Sequence, residues 1–396
     1  MNISSKIILK LLFYYFKILG FIPYVYYKPG ILKRSKSATI YTVILTLGYS
    51  KNVMNVMLSR SSFIRPRETI LAVIVDLVSL MLEYIAISMI WIYSITRFNQ
   101  VQGILKLFLK TLESTSVIMK INMTKIYDDI LREMFIFVLS LNILFIITVT
   151  TDLIICYGEI KDYDFPVWII FNYPRVIPLN YAMVHIYFVK ILGRHFCLLN
   201  KNIGYLPEVY ADEDSSMEII KIRFKPREID EKLRKFDKLD LDLRNQIKMS
   251  NEIFALPFIT VLLLQFSHSI FNLYLFMNSM MNKAFSWPIL INVSWILMRM
   301  LLLLFFIDNC HTVCEEANKK VKILHESWAL KRLDGFKEML KSISLHQLQE
   351  PVEIKFHDAL KLNHKLFYKM AGVTTTYLII MIQLDQQVQH SHNHRI

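Results

Sequence analysis

Residues 71–95 read LAVIVDLVSLMLEYIAISMIWIYSI, and residues 287–307 read WPILINVSWILMRMLLLLFFI. Each run reaches the length of about 20 apolar residues that an α-helix needs to cross the hydrocarbon core of a bilayer. The whole chain has the same character, because 54% of its 396 residues are hydrophobic and only 20% are charged, whereas a soluble domain keeps about 25% of its residues charged. The sequence therefore predicts an all-α integral membrane protein.

Seven stretches have the length and composition of membrane spans, and they are 38–58, 71–95, 132–157, 167–191, 253–277, 287–308 and 366–384. The first is the least apolar, because Lys51 and several Ser, Thr and Asn residues interrupt it. Pro174 and Pro178 lie in the fourth stretch, so a kinked helix is expected there. The sequence thus predicts seven transmembrane helices.

Lysine and arginine are distributed unequally between the two sides of these spans. The segments 1–37, 96–131, 192–252 and 309–365 together hold 34 of them, and the segments on the other side hold 6. Cytoplasmic loops carry an excess of Lys and Arg. The N-terminus is therefore predicted to be cytoplasmic and the C-terminus extracellular, the reverse of a G-protein-coupled receptor. The net charge of +13 follows from this loop bias, so no nucleic-acid partner is expected.

The long basic loops contain helical patterns of their own. Apolar residues recur at helical spacing between 226 and 250, at Ile229, Leu233, Phe236, Leu243 and Ile247. A second stripe runs through 313–340, at Val313, Ala317, Val321, Leu324, Trp328, Phe336 and Leu340. Such stripes indicate either solvated loop helices or cytoplasmic extensions of the spans that pack together. Residues 1–37 are predicted to form a basic amphipathic segment against the inner leaflet.

The last span carries a recognisable motif. Residues 376–384 read TYLIIMIQL, which resembles the signature of the insect gustatory receptor family: Thr-Tyr, five apolar residues and Gln-Phe. Leu384 stands where the family has Phe. The upstream stretch FHDALKLNHKLFYKMAGVTT and the N-terminal stretch FKILGFIPYVYY are also similar to the family.

The resemblance implies a ligand-gated cation channel built as a tetramer around one pore. It implies a six-helix ligand-sensing bundle over 38–308, including the 192–252 loop, and cytoplasmic anchor helices over 309–365. The pore helix would then be 366–384, followed by an extracellular tail over 385–396. The two apolar stripes in the basic loops are what such an anchor would need.

One face of the last span combines polar and apolar side chains. Thr376, Ile380, Gln383 and Gln387 follow each other at intervals of 4, 3 and 4 residues, so they share a helix face. In four copies, amide rings could replace part of the hydration shell of an ion, and Asp385 would concentrate cations at the outer mouth. With Tyr377 and Leu384 of the motif, these residues are the candidate pore and gate. Alternatively, they mark the point at which the helix leaves the membrane.

Polar side chains inside the spans are candidates for a ligand pocket, because they are costly to bury in a membrane. The candidates in the outer halves of the spans are Asp76, Asp152, Arg175, His268, Asn272, Asn292 and Trp295. Acids, amides and an aromatic platform would suit a small polar or alkaloid-like ligand. Alternatively, Asp76 or Glu83 pairs with Arg175 or Arg299 and holds the bundle together. The two interpretations can hold at once.

No pattern indicates catalysis or a cofactor. The sequence contains no nucleophile elbow, phosphate-binding loop or catalytic dyad, so an enzyme is not expected. Cys310, His311 and Cys314 could supply metal ligands, with His325 as a distant fourth. Cysteines that only pack between helices explain the same pattern, so no metal and no cofactor are predicted.

The function that follows is a gustatory receptor in the plasma membrane of chemosensory neurons. It would be a non-selective cation channel opened by a tastant, with a bitter compound favoured and a sugar possible. Its partners would be the tastant, cations, the lipid bilayer, and either identical subunits or related receptors. A G-protein-coupled receptor is opposed by the charge bias and by missing Asp-Arg-Tyr and Asn-Pro-x-x-Tyr elements. A secondary transporter would be expected to show paired repeats, and none is visible.

The charge bias generates a topological prediction. An epitope tag after Ile396 should bind antibody on intact cells, whereas a tag before Met1 should require permeabilised cells. The reason is the distribution of 34 basic residues against 6, which holds the basic loops in the cytoplasm. Immunofluorescence on intact and permeabilised cells measures both. The opposite staining pattern would contradict the predicted orientation.

Overall fold

The computed structural model describes residues 3–28, 31–58, 70–119, 123–159, 172–211, 226–281, 287–328, 341, 344–345, 348–356 and 360–393. The helices of 16 residues or more in this part of the chain are α1 (Ile3–Ile18), α2 (Lys36–Leu58), α3 (Ile70–Thr96), α4 (Phe98–Met119), α5 (Met123–Glu159), α6 (Val176–Ala211), α7 (Pro226–Met281), α8 (Trp287–Trp328) and α9 (His364–Asn393). Two antiparallel hairpins join them, formed by β1 (Tyr24–Lys28) with β2 (Ile31–Arg34) and by β3 (Lys355–Phe356) with β4 (Leu360–Lys361). The protein is therefore a nearly all-helical bundle.

Helices α2, α3, α5, α6, α7, α8 and α9 correspond to the seven predicted spans. Five stretches among the described residues are long and apolar enough to cross a membrane, and they are Leu77–Thr96, Met123–Ile154, Val176–Gly204, Glu231–Met277 and Asn292–Ile323. The outer surfaces fit a lipid environment as well. Helix α2, for example, leaves an apolar stripe exposed at Ile40, Ile44, Leu47, Met54 and Leu58, which would be unfavourable in water.

Several predicted boundaries are wrong because the helices continue past the apolar runs. The 96–131 segment, counted as a loop, contains the whole of α4. The 192–252 loop is mostly helical, because α6 runs on to Ala211 and α7 begins at Pro226. A hydropathy count ends a span where charges begin, but backbone hydrogen bonds of a helix do not depend on that change.

The predicted kink in the fourth span is also corrected. Residues 160–171 lie outside the described part, and Pro174 falls in a 3₁₀ turn over Tyr173–Arg175. Helix α6 then begins at Val176, which places Pro178 in its first turn. Proline is tolerated there because the missing N–H group would have no partner in the helix. The two prolines therefore mark the start of the helix.

The N-terminal segment ends its helix in a tight turn against α3. Gly20 has a φ angle of 83°. The N–H of Phe21 donates to the carbonyl of Phe16, and the N–H of Gly20 donates to the carbonyl of Lys17. These are the bonds of a Schellman motif. The indole N–H of Trp91 donates to the Leu19 carbonyl at 2.9 Å, and a Cβ on Gly20 would lie 2.7 Å from that nitrogen. Only glycine fits this contact.

The following hairpin is tied to the same end of α3. The phenol of Tyr24 donates to the carbonyl of Ser94, and the Arg34 guanidinium donates to the carbonyl of Ile95 at 2.7 Å. Burial raises the pKa of Tyr24 to about 12, so the phenol keeps the proton that it donates. The hairpin therefore closes off the end of α3 where α4 begins.

Helix α7 has 56 residues and packs against α3, α4, α6, α8 and α9. We call the end of the bundle formed by α4, the first half of α7 and the second half of α8 the basic end. The predicted stripe of α7 is buried there, at Leu233, Phe236, Leu243 and Ile247, while the side chain of Ile229 lies outside the described residues. The interpretation as solvated loop helices is therefore wrong for this stripe.

The second stripe is buried within the same subunit where it is described. Val313 and Ala317 of α8 are buried, and a Cβ on Gly193 of α6 would lie 2.6 Å from Val313 Cγ2. The two helices thus approach closely through a glycine. Val321 is half-buried, and Leu324, Trp328, Phe336 and Leu340 lie outside the described side chains.

Residues 350–356, here called the clamped segment, run between α7 and α8. On the α8 side, Asn318 donates to the carbonyl of Val352 at 2.9 Å and accepts from its N–H at 2.8 Å. The N–H of Ile354 donates to Cys314 Sγ at 3.3 Å. These contacts satisfy backbone groups that have no sheet neighbour.

Helix α7 holds the other side of the clamped segment. Arg244 donates to the carbonyl of Glu350 and Asn251 to that of Glu353, both at 2.9 Å. Phe356 at the end of the segment is fully buried, with its ring 5.2 Å from that of Phe258. The β3–β4 hairpin then leads directly into α9.

Phe356→Ala is expected to loosen this junction. The substitution leaves a cavity in a stacked aromatic cluster and should cost about 3–5 kcal/mol of unfolding free energy. The thermal unfolding temperature of the detergent-solubilised protein should therefore fall by several degrees. Leu348→Ala is the matched control, because Leu348 precedes the same segment and is exposed. Equal effects of both substitutions would contradict the clamped arrangement.

Candidate functional site

An ion pair with a buried carboxylate and a partly exposed guanidinium lies in the apolar part of the bundle. Arg175, in the 3₁₀ turn before α6, places its Nε 3.3 Å from the Oε2 atom of Glu83 on α3. The same guanidinium donates to Asn172 Oδ1 at 2.8 Å, and Glu83 is fully buried. The predicted pairing of an acid on α3 with Arg175 is therefore confirmed, with Glu83 as the acid.

Trp295 of α8 joins two guanidinium groups. The Cζ atom of Arg175 lies 5.6 Å from the centroid of the indole ring, and that of Arg299 lies 5.3 Å from it. Both distances are those of cation–π contacts. Phe145 of α5 meets the same indole edge-on, with centroids 5.9 Å apart. One aromatic platform thus connects α5, α8 and the start of α6.

Helix α7 contributes the polar wall of the cluster. Arg299 Nη1 donates to Gln265 Oε1 at 3.1 Å. His268, one turn further along α7, is buried, and its Nε2 atom has no hydrogen-bond partner among the described residues. The charges of Arg299 and Arg175 both act on this imidazole. Buried polar atoms normally have partners, and this nitrogen is the one buried polar atom of the imidazole that the described residues leave unsatisfied.

The structure brings together part of the predicted pocket. Arg175, His268 and Trp295 belong to one cluster. Asn272 follows His268 by one turn and is half-buried, and Asn292 is half-buried three residues before Trp295. Asp152 is half-buried on α5, two turns beyond Phe145, and the side chain of Asp76 lies outside the described residues.

Two members of the cluster were missed by the sequence reasoning. Gln265 lies three residues before His268, so the two share one face of α7, and this spacing could have revealed it. Phe145 carries no such signal, because it is one of many aromatic residues in apolar spans. Glu83 and Arg299 were considered only as members of a structural ion pair, in which Asp76 or Glu83 was expected to contact Arg175 or Arg299.

The candidate pore residues lie on a helix with little cover from its own subunit. Thr376, Tyr377, Ile380, Gln383, Leu384 and Gln387 of α9 are exposed, and the side chain of Asp385 lies outside the described residues. The hydrophobic contacts of α9 with the core come from its first turns, at Leu366, Phe367 and Met370, and Thr374 is buried further along. Much of the apolar surface of α9 is therefore left uncovered by the described part of the chain.

A separate cavity of about 310 Å³ lies at the basic end, between α8, the clamped segment and residues 361–363. The imidazole of His311 lines it, and its centroid lies 4.5 Å from that of the His364 ring. Cys310 is buried, and Cys314 accepts the N–H of Ile354. Within the ranges that the structure describes, no three His, Cys, Asp or Glu side chains are grouped to hold a metal ion.

The Glu83–Arg175 pair can be tested by charge removal. Glu83→Gln leaves the guanidinium of Arg175, which is 15% exposed, without its carboxylate, and it should cost at most the roughly 3–5 kcal/mol of unfolding free energy that breaking a fully buried pair costs. Adding Arg175→Gln removes the orphaned charge and should restore most of the thermal unfolding temperature of the purified receptor. If the double variant instead shows the sum of the two single losses, the two groups do not interact.

Comparison with known proteins agrees with this architecture. The chain matches the family model described as 7tm Chemosensory receptor over residues 9–388. The insect olfactory receptor OR5 from Machilis hrabei has the same fold, with 12% sequence identity, a TM-score of 0.62, and coverage of 95% of this chain and 99% of that chain. The structure of that receptor in complex with eugenol has 13% sequence identity and a TM-score of 0.65, and the match covers 96% of this chain and 97% of that chain. No match is found among curated protein sequences. The family is one of receptors, not of enzymes. Because its model matches nearly the whole chain, this protein belongs to the 7tm chemosensory receptor family.

Proposed function

We propose that the protein is a gustatory receptor: a non-selective cation channel that a small-molecule tastant opens, in the plasma membrane of chemosensory neurons. Four subunits, identical or from related receptors, surround one pore. The N-terminus is cytoplasmic, so that the basic end lies in the cytoplasm and the tail after residue 384 lies outside. The bundle formed by the first six spans senses the ligand.

The observation that carries this proposal is the exposure of α9. Tyr377, Ile380 and Leu384 are about half exposed in the single subunit, at 52%, 43% and 46%. In a bilayer they could face lipid, but Thr376, Gln383 and Gln387 are exposed on the same helix. Polar side chains are unfavourable against lipid and favourable along a water-filled path. A central position for α9, with its polar face toward a pore, satisfies both requirements.

The buried cluster around Trp295 supplies the ligand side of the proposal. It lies between α3, α5, α7 and α8, deep in the bundle, and it contains a buried imidazole nitrogen without a partner in the described structure. The related olfactory receptor has been solved with eugenol, a small molecule. A small tastant bound in the bundle of this chain would contact α7 and α8 directly.

Coupling from ligand to pore then runs through the clamped segment. Helices α7 and α8 hold residues 350–356 by hydrogen bonds from both sides, and the next elements are the β3–β4 hairpin and α9. A relative movement of α7 and α8 changes the position of this segment. The start of α9 has to follow, because only a short hairpin separates the two.

Voltage-clamp recording from oocytes that express the receptor tests the proposal with a panel of bitter compounds and sugars. A tastant-evoked cation current without added G-protein components is the expected result. A receptor that reaches the surface but passes current only through a G-protein pathway would contradict the channel function.

Asp385→Asn should act on the permeating ion. It removes one negative charge per subunit, four in a tetramer, from the proposed outer mouth. Such charges attract cations through a field screened over roughly 8 Å at physiological salt. Single-channel conductance should therefore fall most at low ionic strength and less in high salt.

The matched control for this substitution is Glu326→Gln, which removes an exposed carboxylate at the basic end. The control should leave the salt dependence of conductance unchanged. If Asp385→Asn shifts the half-activating tastant concentration at constant unitary current, Asp385 contacts ligand and does not line the mouth.

A further inference from the structure

Arg299 is a buried cation that lacks an ion pair in the described structure. Arg299 is only 4% exposed. Within the described part of the chain, its hydrogen-bond partner is the neutral amide of Gln265, and its Nε atom has none. A guanidinium keeps its charge in proteins, and an unpaired charge inside a membrane bundle is strongly unfavourable. We therefore expect an anion to lie beside the Arg299 guanidinium.

The nearby carboxylate fills that role only in part. Glu83 acts electrostatically on Arg299, but its Oε2 atom is paired with Arg175, and its Oε1 atom has no hydrogen-bond partner among the described residues. The described cluster therefore holds two guanidinium groups and one carboxylate. Asp76 precedes Glu83 by two turns of α3, and its side chain lies outside the described residues, so the experiment below includes it.

The geometry around Arg299 suits a carboxylate attached to an aromatic ring. A guanidinium that lies over an indole keeps its N–H groups in its own plane, where they can bind a carboxylate through two hydrogen bonds. The unpartnered Nε2 of His268 can donate a further hydrogen bond in the corresponding tautomer. Trp295, and Phe145 edge-on to it, are buried beside this position, so a ligand that enters the bundle at Arg299 would meet aromatic side chains there.

We propose that Arg299, with His268 and Trp295, binds the carboxylate of a small aromatic acid, and that acids of this class are ligands of the receptor. The inference rests on the proposed function only for the step from binding to current. It replaces the expectation of an alkaloid-like ligand, because two guanidinium groups and one carboxylate leave the described cluster with a net positive charge, which would repel a protonated amine.

The binding test uses purified receptor in lipid nanodiscs and compares matched probes. Phenylacetate and benzoate are the anions, their methyl esters are the neutral analogues, and 2-phenylethylamine is the cation. A ligand that binds only the folded protein raises its thermal unfolding temperature. Only the two acids should do so, and in oocytes only they should evoke current.

Arg299→Gln should weaken binding of both acids by about tenfold or more, the loss expected for a hydrogen bond to a charged group. Arg299→Lys keeps the charge but cannot form the bidentate hydrogen bonds of a guanidinium, so it should give a smaller loss of affinity for the acids. Arg194→Gln is the matched control, because Arg194 is an exposed arginine of α6, and it should bind the acids like the unmodified receptor. Without ligand, Arg299→Gln should be at least as stable as the unmodified receptor.

Three results would overturn the inference. The first is equal stabilisation by acids, esters and amine, or no stabilisation by either acid. The second is unchanged acid binding in Arg299→Gln. The third is a large loss of stability in Arg299→Gln that Asp76→Asn restores, because Asp76 would then be the structural counter-ion. Acid binding that depends on Arg299 but evokes no current would support the inference and count against the channel function.

Discussion

The structure depends on the continuity of α7. Its 56 residues, at 1.5 Å each, make a rod of about 84 Å. One part of this rod carries Gln265 and His268 of the charged cluster, and the other carries Arg244 and Asn251, which hold the clamped segment. Pro257 lies between them and interrupts the hydrogen-bond ladder of the helix at one point. Packing against five other helices keeps the rod intact there, so the bundle and the basic end share one rigid element.

Buried charges at the two ends of α7 are balanced differently. At the basic end, Lys320 Nζ lies 3.4 Å from Asp240 Oδ2 and 3.8 Å from Asp237 Oδ1. Arg244 Nε lies 2.8 Å from the same Asp240 oxygen. Two cations there meet two carboxylates, which makes burial tolerable and specifies how the two helices align. The cluster around Arg299 has no such balance among its described side chains. A structural role accounts for the first network, whereas the second requires something from outside the chain or from its undescribed part.

The sequence predicted features that depend on local pattern and missed those that depend on distant partners. Span number and the α7 stripe follow from apolar run length and from helical spacing. Helix α4 was missed because its buried face includes Thr111 and Thr115, which a hydropathy scale reads as polar. Their hydroxyls donate to helix carbonyls one turn back, so they can be buried. The association of Phe145 with Trp295 depends on the packing of α5 against α8, which no local pattern reports.

The sparse packing of α9 determines how a ligand can act on it. Leu366, Phe367 and Met370 pack against the described core, and Thr374 is buried one turn later, whereas Gln383 and Leu384 are exposed. Gln383 therefore has little side-chain packing within the described part of the subunit through which a change inside the bundle could reach it directly. Such a change can reach the first turn of α9, because the clamped segment is bonded to both α7 and α8 and continues into the β3–β4 hairpin. If α9 lines the pore as proposed, its rigid helical backbone carries a displacement of that first turn to Gln383, about 29 Å away at 1.5 Å per residue. Gating then depends less on contacts along α9 than on how firmly Phe356 and Asn318 hold the segment before it.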